Sequence, residues 1–146
     1  MCSSDLLFRS IHRGTQPFGG GNNNILIHIG QALNYINDGI LEETLVHEAA
    51  HTSLDANHAA SSGWLTAQTM DGEFISTYAQ DNPDREDIAE SFLPYLAIRY
   101  RSDRIDQSTF EIITQTIPNR IQYFDDQLFN LYPITTLANE DGPSRI

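Results

Sequence analysis

Histidines and acids are concentrated in one short stretch, HEAAHTSLDANH, which spans residues 47–58. On an α-helix each residue turns by about 100°, so His47, His51, Asp55 and Glu48 fall within one arc of about 100°. The rest of this helix is apolar, and burying the polar strip without a partner would be costly. Two imidazoles one turn apart can bind the same Zn²⁺, and Glu48 can face a water on that ion. We therefore interpret His47 and His51 as metal ligands and Glu48 as a catalytic base.

A third protein ligand is needed, and His58 is the first candidate. If the helix continued, His58 would lie about 10 Å along the axis from His51, too far to share an ion. The pattern H-E-x-x-H-x-x-G-x-x-H turns the chain at a glycine, but Leu54 and Asn57 occupy its glycine and last histidine places. Peptidases with that pattern also have a turn that contains a methionine, and the sequence around Met70, AQTMDGE, does not resemble it. His58 is the less favoured ligand, and a place at the helix end or the cleft rim suits it better.

The second candidate lies in NPDREDIAESF, residues 82–92. Glu86 and Glu90 are four residues apart and share a helical face, so one can bind the metal while the other accepts the outward N–H of a ligand histidine. Alternatively, these acids only stabilise the start of a helix. That alternative explains Asp84, but it does not explain the ExxAE spacing that follows HEAAH.

HEAAH followed by EDIAE resembles the gluzincins, the HExxH zinc peptidases whose third ligand is a glutamate, and is most similar to the branch of the anthrax lethal factor catalytic domain. The resemblance covers residues 40 to about 95. It implies that Glu86 is the third ligand of Zn²⁺ and that Glu90 orients a ligand histidine. It also implies a supporting role for Asp55 and a catalytic role for Tyr78, which stands ahead of the ligand helix.

The resemblance implies a zinc-dependent metallopeptidase that acts on a peptide or protein substrate, and the strand ILIHIG (25–30) would then offer its edge to an extended peptide. One alternative is a non-catalytic, zinc-stabilised module with a fourth protein ligand such as His58 or Asp55. Another is an acidic scaffold without metal. Glu48 favours catalysis, because a purely structural site has no use for a carboxylate beside the ion.

The elements that position these residues predict an α+β fold: a mostly helical minimal zincin domain with a small N-terminal β-sheet or a single edge strand packed against the active-site helix. Gly- and Asn-rich residues 14–24 indicate a flexible loop, and 57–82 an irregular stretch with one short strand near 72–78. Asn82-Pro83 is expected to cap a helix that runs to about Arg101. The predicted helices are 31–38, 40–54, 82–101, 107–117 and 119–132.

The chain has 146 residues, which suits one domain. We expect a flexible or truncated N-terminal segment (1–24), a zincin-like metallopeptidase domain (25–132) and a loose C-terminal tail (133–146). The aromatic residues with core spacing are Trp64, Phe92, Tyr95, Tyr100, Tyr123, Phe124 and Phe129. We expect His12 and His28 to play local roles only.

The net charge of −12, with eight arginines and no lysine, argues against nucleic acid and anionic membranes as partners. No apolar run has the roughly 20 residues needed for membrane insertion. The single cysteine, Cys2, rules out an internal disulfide and a cysteine-rich zinc site. No secretory signal is recognisable, but the polar opening MCSSDLLFRS is typical of a fragment, so secretion stays open if the natural N-terminus is missing.

Overall fold

A computed structural model describes residues 8–21 and 23–131, so the predicted tail 133–146 lies outside the described part. Within that part, seven α-helices and three short strands confirm the mostly helical α+β fold. The strands are β1 (Phe8–His12), β2 (Gly19–Gly21) and β3 (Asn24–His28). The α-helices are α1 (Ile29–Asp38), α2 (Leu41–Leu54), α3 (Ser62–Asp71), α4 (Thr77–Asp81), α5 (Asp87–Tyr100), α6 (Gln107–Thr116) and α7 (Pro118–Asp126). No helix among these is long and apolar enough to cross a membrane.

The sheet has the order β1-β3-β2, with β1 parallel and β2 antiparallel to β3. Two strands therefore lie inside the segment 1–24 that the sequence predicts to be flexible, and the prediction of a loop over 14–24 is wrong at Gly19–Gly21. The physical reason is close packing on α2. A Cβ at Gly20 would overlap the backbone carbonyl of Glu48, so only glycine lets this strand approach the helix.

Helix α2 forms within one residue of its predicted bounds and carries Glu42 and Glu43 in its first turn, where negative charge is favourable. It lies between β2 on one side and α5 on the other. Beyond Leu54 the chain continues as a π-helical turn over Asp55–Ala59, a feature that is frequent at functional sites. The helix that bears the histidines is therefore held from both sides.

Two helices, Ser62–Asp71 and Thr77–Asp81, form within the range 57–82 that the sequence predicts to be irregular; residues 72–76 between them are irregular, and no strand forms over 72–78. Helix α3 begins at the N-cap Ser61, whose hydroxyl accepts the backbone N–H of Trp64, and ends at Gly72 in the left-handed conformation. Helix α4 begins at the N-cap Ser76 in the same way. Two serine caps and a glycine stop thus define helices that the weak apolar period does not reveal.

Helix α5 begins at Asp87, which is later than the start that the sequence predicts at Asn82-Pro83. The backbone N–H groups of Arg85 and Glu86 both bond to the carbonyl of Asn82, which closes a turn before the helix. Glu86 is therefore the N-cap residue, and Glu90 lies in the first turn. The last predicted helix, 119–132, is also shorter and ends at Asp126.

The core lies between α2, α3, α5, α6 and α7. The predicted aromatic residues belong to it: four are buried and Tyr100, Tyr123 and Phe129 pack against it partly buried. Helix α1, in contrast, has no buried residue, and it contacts the sheet region through Tyr35, whose ring meets that of Phe18 edge to face. The site described next lies between the core and this thinner N-terminal layer.

Candidate metal centre

His47, His51 and Glu86 come together as a group of three side chains that can hold a metal ion. The Nε2 atoms of His47 and His51 are 3.1 Å apart. The Glu86 Oε2 atom lies 3.0 Å from Nε2 of His51 and 3.4 Å from Nε2 of His47. The two histidines are one turn apart on α2, and the turn before α5 brings the carboxylate to them.

Each histidine is held on its other ring nitrogen by an acid. The Nδ1 atom of His47 lies 3.2 Å from Oε1 of Glu90, and that of His51 lies 3.0 Å from Oδ2 of Asp55. An Nδ1–H that donates to a carboxylate leaves the Nε2 lone pair free and fixes the orientation of the ring. Glu90 and Asp55 therefore each lie against one of the two histidines.

This donor set fits a small divalent cation. In the tautomer in which both Nδ1 atoms donate, the three converging atoms are two Nε2 lone pairs and a carboxylate oxygen, which are all acceptors and can together bind a cation. Ligands at about 2.0–2.1 Å in a tetrahedron are separated by about 3.3 Å. The observed separations of 3.0, 3.1 and 3.4 Å match that value closely. Nitrogen and oxygen ligands of this kind are those used for zinc.

The electrostatics of the cluster also favour a cation. Burial lowers the pKa of His47, but the hydrogen bond to Glu90 and the charges of Glu90, Glu48 and Glu86 outweigh burial and hold this pKa above its usual value. The hydrogen bond to His47, in turn, holds the pKa of Glu90 below its usual value. The surrounding carboxylates thus create a negative potential at the point where the ring nitrogens meet.

Glu48 lines the same cleft but is not one of the three converging groups. Its side chain is buried, and burial together with the charge of Glu86 raises its pKa, although the two histidines act in the opposite direction. A carboxylate with a raised pKa is better suited to accept and return a proton near neutral pH. Glu48 is therefore a buried carboxylate with a raised pKa in the same cleft as the three converging groups.

The cleft has a volume of about 480 Å³ and is bounded by β2, α2, the π-helical turn and the turn before α5. Tyr78 lies on its rim, half exposed, and burial and the nearby charge of Glu86 raise the pKa of Tyr78. Its phenol thus stays protonated and can donate a hydrogen bond. The residues that line the cleft are Phe18, Gly19, Gly20, His47, Glu48, His51, Asp55, Ala59, Ala60, Tyr78, Asp84, Arg85 and Glu86.

The strand beside the cleft is β2, which corrects the expectation for ILIHIG. β3, which contains most of that segment, is the central strand and pairs on both sides, so it has no free edge to offer. β2 is at the edge of the sheet within the described residues, and Gly19 and Gly20 line the cleft. Glycine-rich sequences carry no strand pattern, which is why β2 is not recognisable in the sequence.

The other histidines lie outside the group of three. The Nδ1 atom of His58 is 2.7 Å from the hydroxyl of Tyr123, beside the aromatic core. His12 and His28 face each other across β1 and β3, with ring centroids 5.7 Å apart. Met70 is exposed on α3. His58 and Asp55, the two candidates for a fourth ligand, are thus both engaged with other side chains.

A buried ion network, which the sequence does not reveal, anchors the start of α5. Asp87, the neighbour of Glu86, accepts hydrogen bonds from Arg120 Nε and Gln68 Nε2, both at 2.9 Å. Arg120 also donates through Nη1 to Asp71 Oδ2 at 2.9 Å. The side chains of Arg120 and Asp71 are completely buried, as is that of Asp87. Helices α3 and α7 therefore fix the point at which the glutamate reaches the cluster.

Comparisons of the chain with protein-family models, with curated proteins and with solved structures found no match.

Proposed function

We propose that this chain is a zinc-dependent metallopeptidase of the gluzincin type, with His47, His51 and Glu86 as ligands and Glu48 as general base. The observation that carries the proposal is the convergence of the three ligand atoms, all within 3.4 Å of one another, in a cleft that also contains Glu48. The resemblance of HEAAH and EDIAE to that family agrees with this arrangement.

His47, His51 and Glu86 would hold Zn²⁺, which would supply Lewis acidity for the scissile carbonyl and for the attacking water. Glu48 accepts a proton from the attacking water and delivers it to the nitrogen of the leaving amine. Its buried position and raised pKa support both steps. Glu90 and Asp55 keep the two imidazoles in the orientation that ligation requires.

Tyr78 and β2 form the walls between which a peptide would lie. The phenol of Tyr78 donates a hydrogen bond to the oxygen on which negative charge develops. An extended substrate lies along β2, where Gly19 and Gly20 line the cleft without side chains. Asp84 and Arg85 also line the cleft and are charged groups that can contact the substrate's side chains.

Two substitutions and a matched control test the proposal. Glu48→Gln is expected to keep one equivalent of zinc and to lose peptide hydrolysis by about 10²–10⁴-fold. Glu86→Ala is expected to lose the metal. Glu43→Gln changes an exposed acid in the first turn of the same helix and is expected to leave both properties unchanged.

Metal content is measured by elemental analysis, and hydrolysis by mass spectrometry of a peptide library incubated with the zinc-loaded protein. A Glu86→Ala variant with one equivalent of metal would show that the ligand assignment is wrong. Hydrolysis by Glu48→Gln at the wild-type rate would remove Glu48 from the mechanism. If the wild-type protein binds zinc and cleaves nothing in the library, the non-catalytic zinc module becomes the better description.

A further inference from the structure

Ser76 connects two parts of the candidate site through a single hydroxyl. It is the N-cap of α4, and its Oγ accepts the backbone N–H of Ala79 at 3.0 Å. The same Oγ donates to Oε2 of Glu90 at 2.6 Å. One partner lies in the short helix that carries Tyr78, and the other is the acid that holds His47.

Both contacts suit the chemistry of a hydroxyl. It has one proton to donate and lone pairs to accept, so it can make the two bonds at the same time. A separation of 2.6 Å is typical of a hydroxyl that donates to an ionised carboxylate, which is one of the stronger kinds of hydrogen bond in proteins. The contact with Glu90 is therefore more than a by-product of the helix cap.

The carboxylate of Glu90 is held at both oxygens. Oε2 accepts a hydrogen bond from the Ser76 hydroxyl, while Oε1 lies 3.2 Å from Nδ1 of His47. A carboxylate fixed at one oxygen only can rotate about its last torsion, which is broad. The second contact restricts that rotation and so keeps Oε1 in line with the ring of His47.

We propose that Ser76 is a positioning residue: its hydroxyl fixes Glu90 against His47 and, through the cap of α4, sets the helix that carries Tyr78 relative to the metal cluster. This inference rests on the proposed metal site. It assigns to the sequence ISTY (75–78) a role that neither the HExxH pattern nor the ExxAE pattern contains. Loss of the donor is expected to weaken the metal site even when α4 still forms.

Two substitutions separate the donor from the cap. Ser76→Gly removes the hydroxyl, but glycine is well tolerated at an N-cap, so α4 is expected to form. Ser76→Thr retains a hydroxyl, and its β-branched side chain suits the extended backbone at this position, φ −145° and ψ 159°. Ser61→Gly is the matched control, because Ser61 caps α3 by accepting the N–H of Trp64 at 3.2 Å and does not contact Glu90.

The measurement is the Zn²⁺ affinity of each folded variant, from titration against a chromophoric competitor, with circular dichroism as the check on folding. Removing an acid that orients a ligand histidine costs about 10–100-fold in metal affinity, so the residue that holds the acid is expected to cost less, about 3–10-fold in Ser76→Gly. We expect Ser76→Thr to restore the wild-type affinity and Ser61→Gly to leave it unchanged.

The inference is overturned if Ser76→Gly binds zinc as tightly as the wild type, or if Ser61→Gly loses as much affinity as Ser76→Gly. These results are distinct from a failure of the proposed function. If Glu86→Ala keeps its metal, the metal site itself is wrong and the role of Ser76 falls with it. If Glu86→Ala loses the metal while Ser76→Gly does not, only the role of Ser76 is refuted. Absence of hydrolysis affects neither readout.

Discussion

Replacing Arg120 by methionine tests how much the buried ion pairs with Asp71 and Asp87 stabilise the folded protein. The arginine side chain is completely buried, and so are the two carboxylates it contacts, those of Asp71 and Asp87. Methionine is unbranched and apolar and fills only the space of the arginine stem, so it also removes the guanidinium that lies 4.8 Å over the ring of Phe74. It removes the positive charge and leaves two buried acids without their counter-ion.

Breaking a buried ion pair by removing one partner costs about 3–5 kcal/mol, because a buried charge is left uncompensated. A domain of this kind has a total unfolding free energy of about 5–15 kcal/mol, so Arg120→Met is expected to remove a large part of it. For a chain of this size, each kcal/mol lowers the melting temperature by about 2–4 °C. We therefore expect a decrease of about 6–20 °C.

The assays are thermal unfolding, which gives the melting temperature, and urea unfolding, which gives the unfolding free energy, both monitored by circular dichroism. The control is Arg99→Met, which removes two hydrogen bonds to the carboxylate of Asp125. The Arg99 side chain is 40% exposed, and exposed ion pairs contribute only about 0–1 kcal/mol. Arg120→Lys keeps the charge but not the planar fork, and we expect an intermediate loss that stays measurable if the methionine variant does not fold. A loss in Arg120→Met no greater than that in Arg99→Met would refute the reasoning.

Three further predictions concern the cleft and its surroundings. Gly20→Ala places a Cβ against the backbone of α2 and is expected to lower the unfolding free energy by about 1–3 kcal/mol in urea unfolding. Gly19→Ala is the control, because a Cβ at this position makes only an ordinary contact. An equal loss of stability in both variants would contradict the prediction. Asp55→Ala removes the acid that holds His51 and should weaken zinc binding by about 10–100-fold in a competition titration, and unchanged affinity would exclude that role. Burial lowers the pKa of His58 in the folded state, so the unfolded chain takes up a proton first as the pH falls through about 6.5. Below that pH protonation favours the unfolded state, and the protein loses stability. The urea midpoint of the wild type should then drop more between pH 7.5 and 5.5 than that of His58→Gln, and equal drops would contradict the assignment.

The parts of the site that are local in sequence could be predicted. His47, His51 and Asp55 are spaced by one helical turn, and helix geometry alone places them together once α2 is recognised. The sequence indicates α2 because most of its other residues are apolar and Glu42 and Glu43 occupy its first turn. The third ligand needed more than geometry: Glu86 and Glu90 share a face, but the choice of Glu86 came from the resemblance.

The parts that depend on distant contacts could not be predicted. β2 consists of three glycines, and it forms because the sheet packs on α2 rather than because its residues prefer a strand. Helix α3 buries only Trp64 and Ala67, which is too narrow a face to produce a helical period, although its serine cap and glycine stop are present in the sequence. Ser76 and Arg120 meet partners 14 and 33 residues away, and no local pattern reports such pairings.

The three proposed metal ligands lie in two segments that are far apart along the chain. Glu86 lies 35 residues beyond His51, so an unfolded chain presents the histidine pair without the carboxylate. A cation taken up by the complete set binds the native state in preference to the unfolded one, and at a free concentration 100 times its dissociation constant it adds about 2.7 kcal/mol to the unfolding free energy. If the proposed site binds its metal, removal of the metal is therefore expected to make the polypeptide more susceptible to proteolysis.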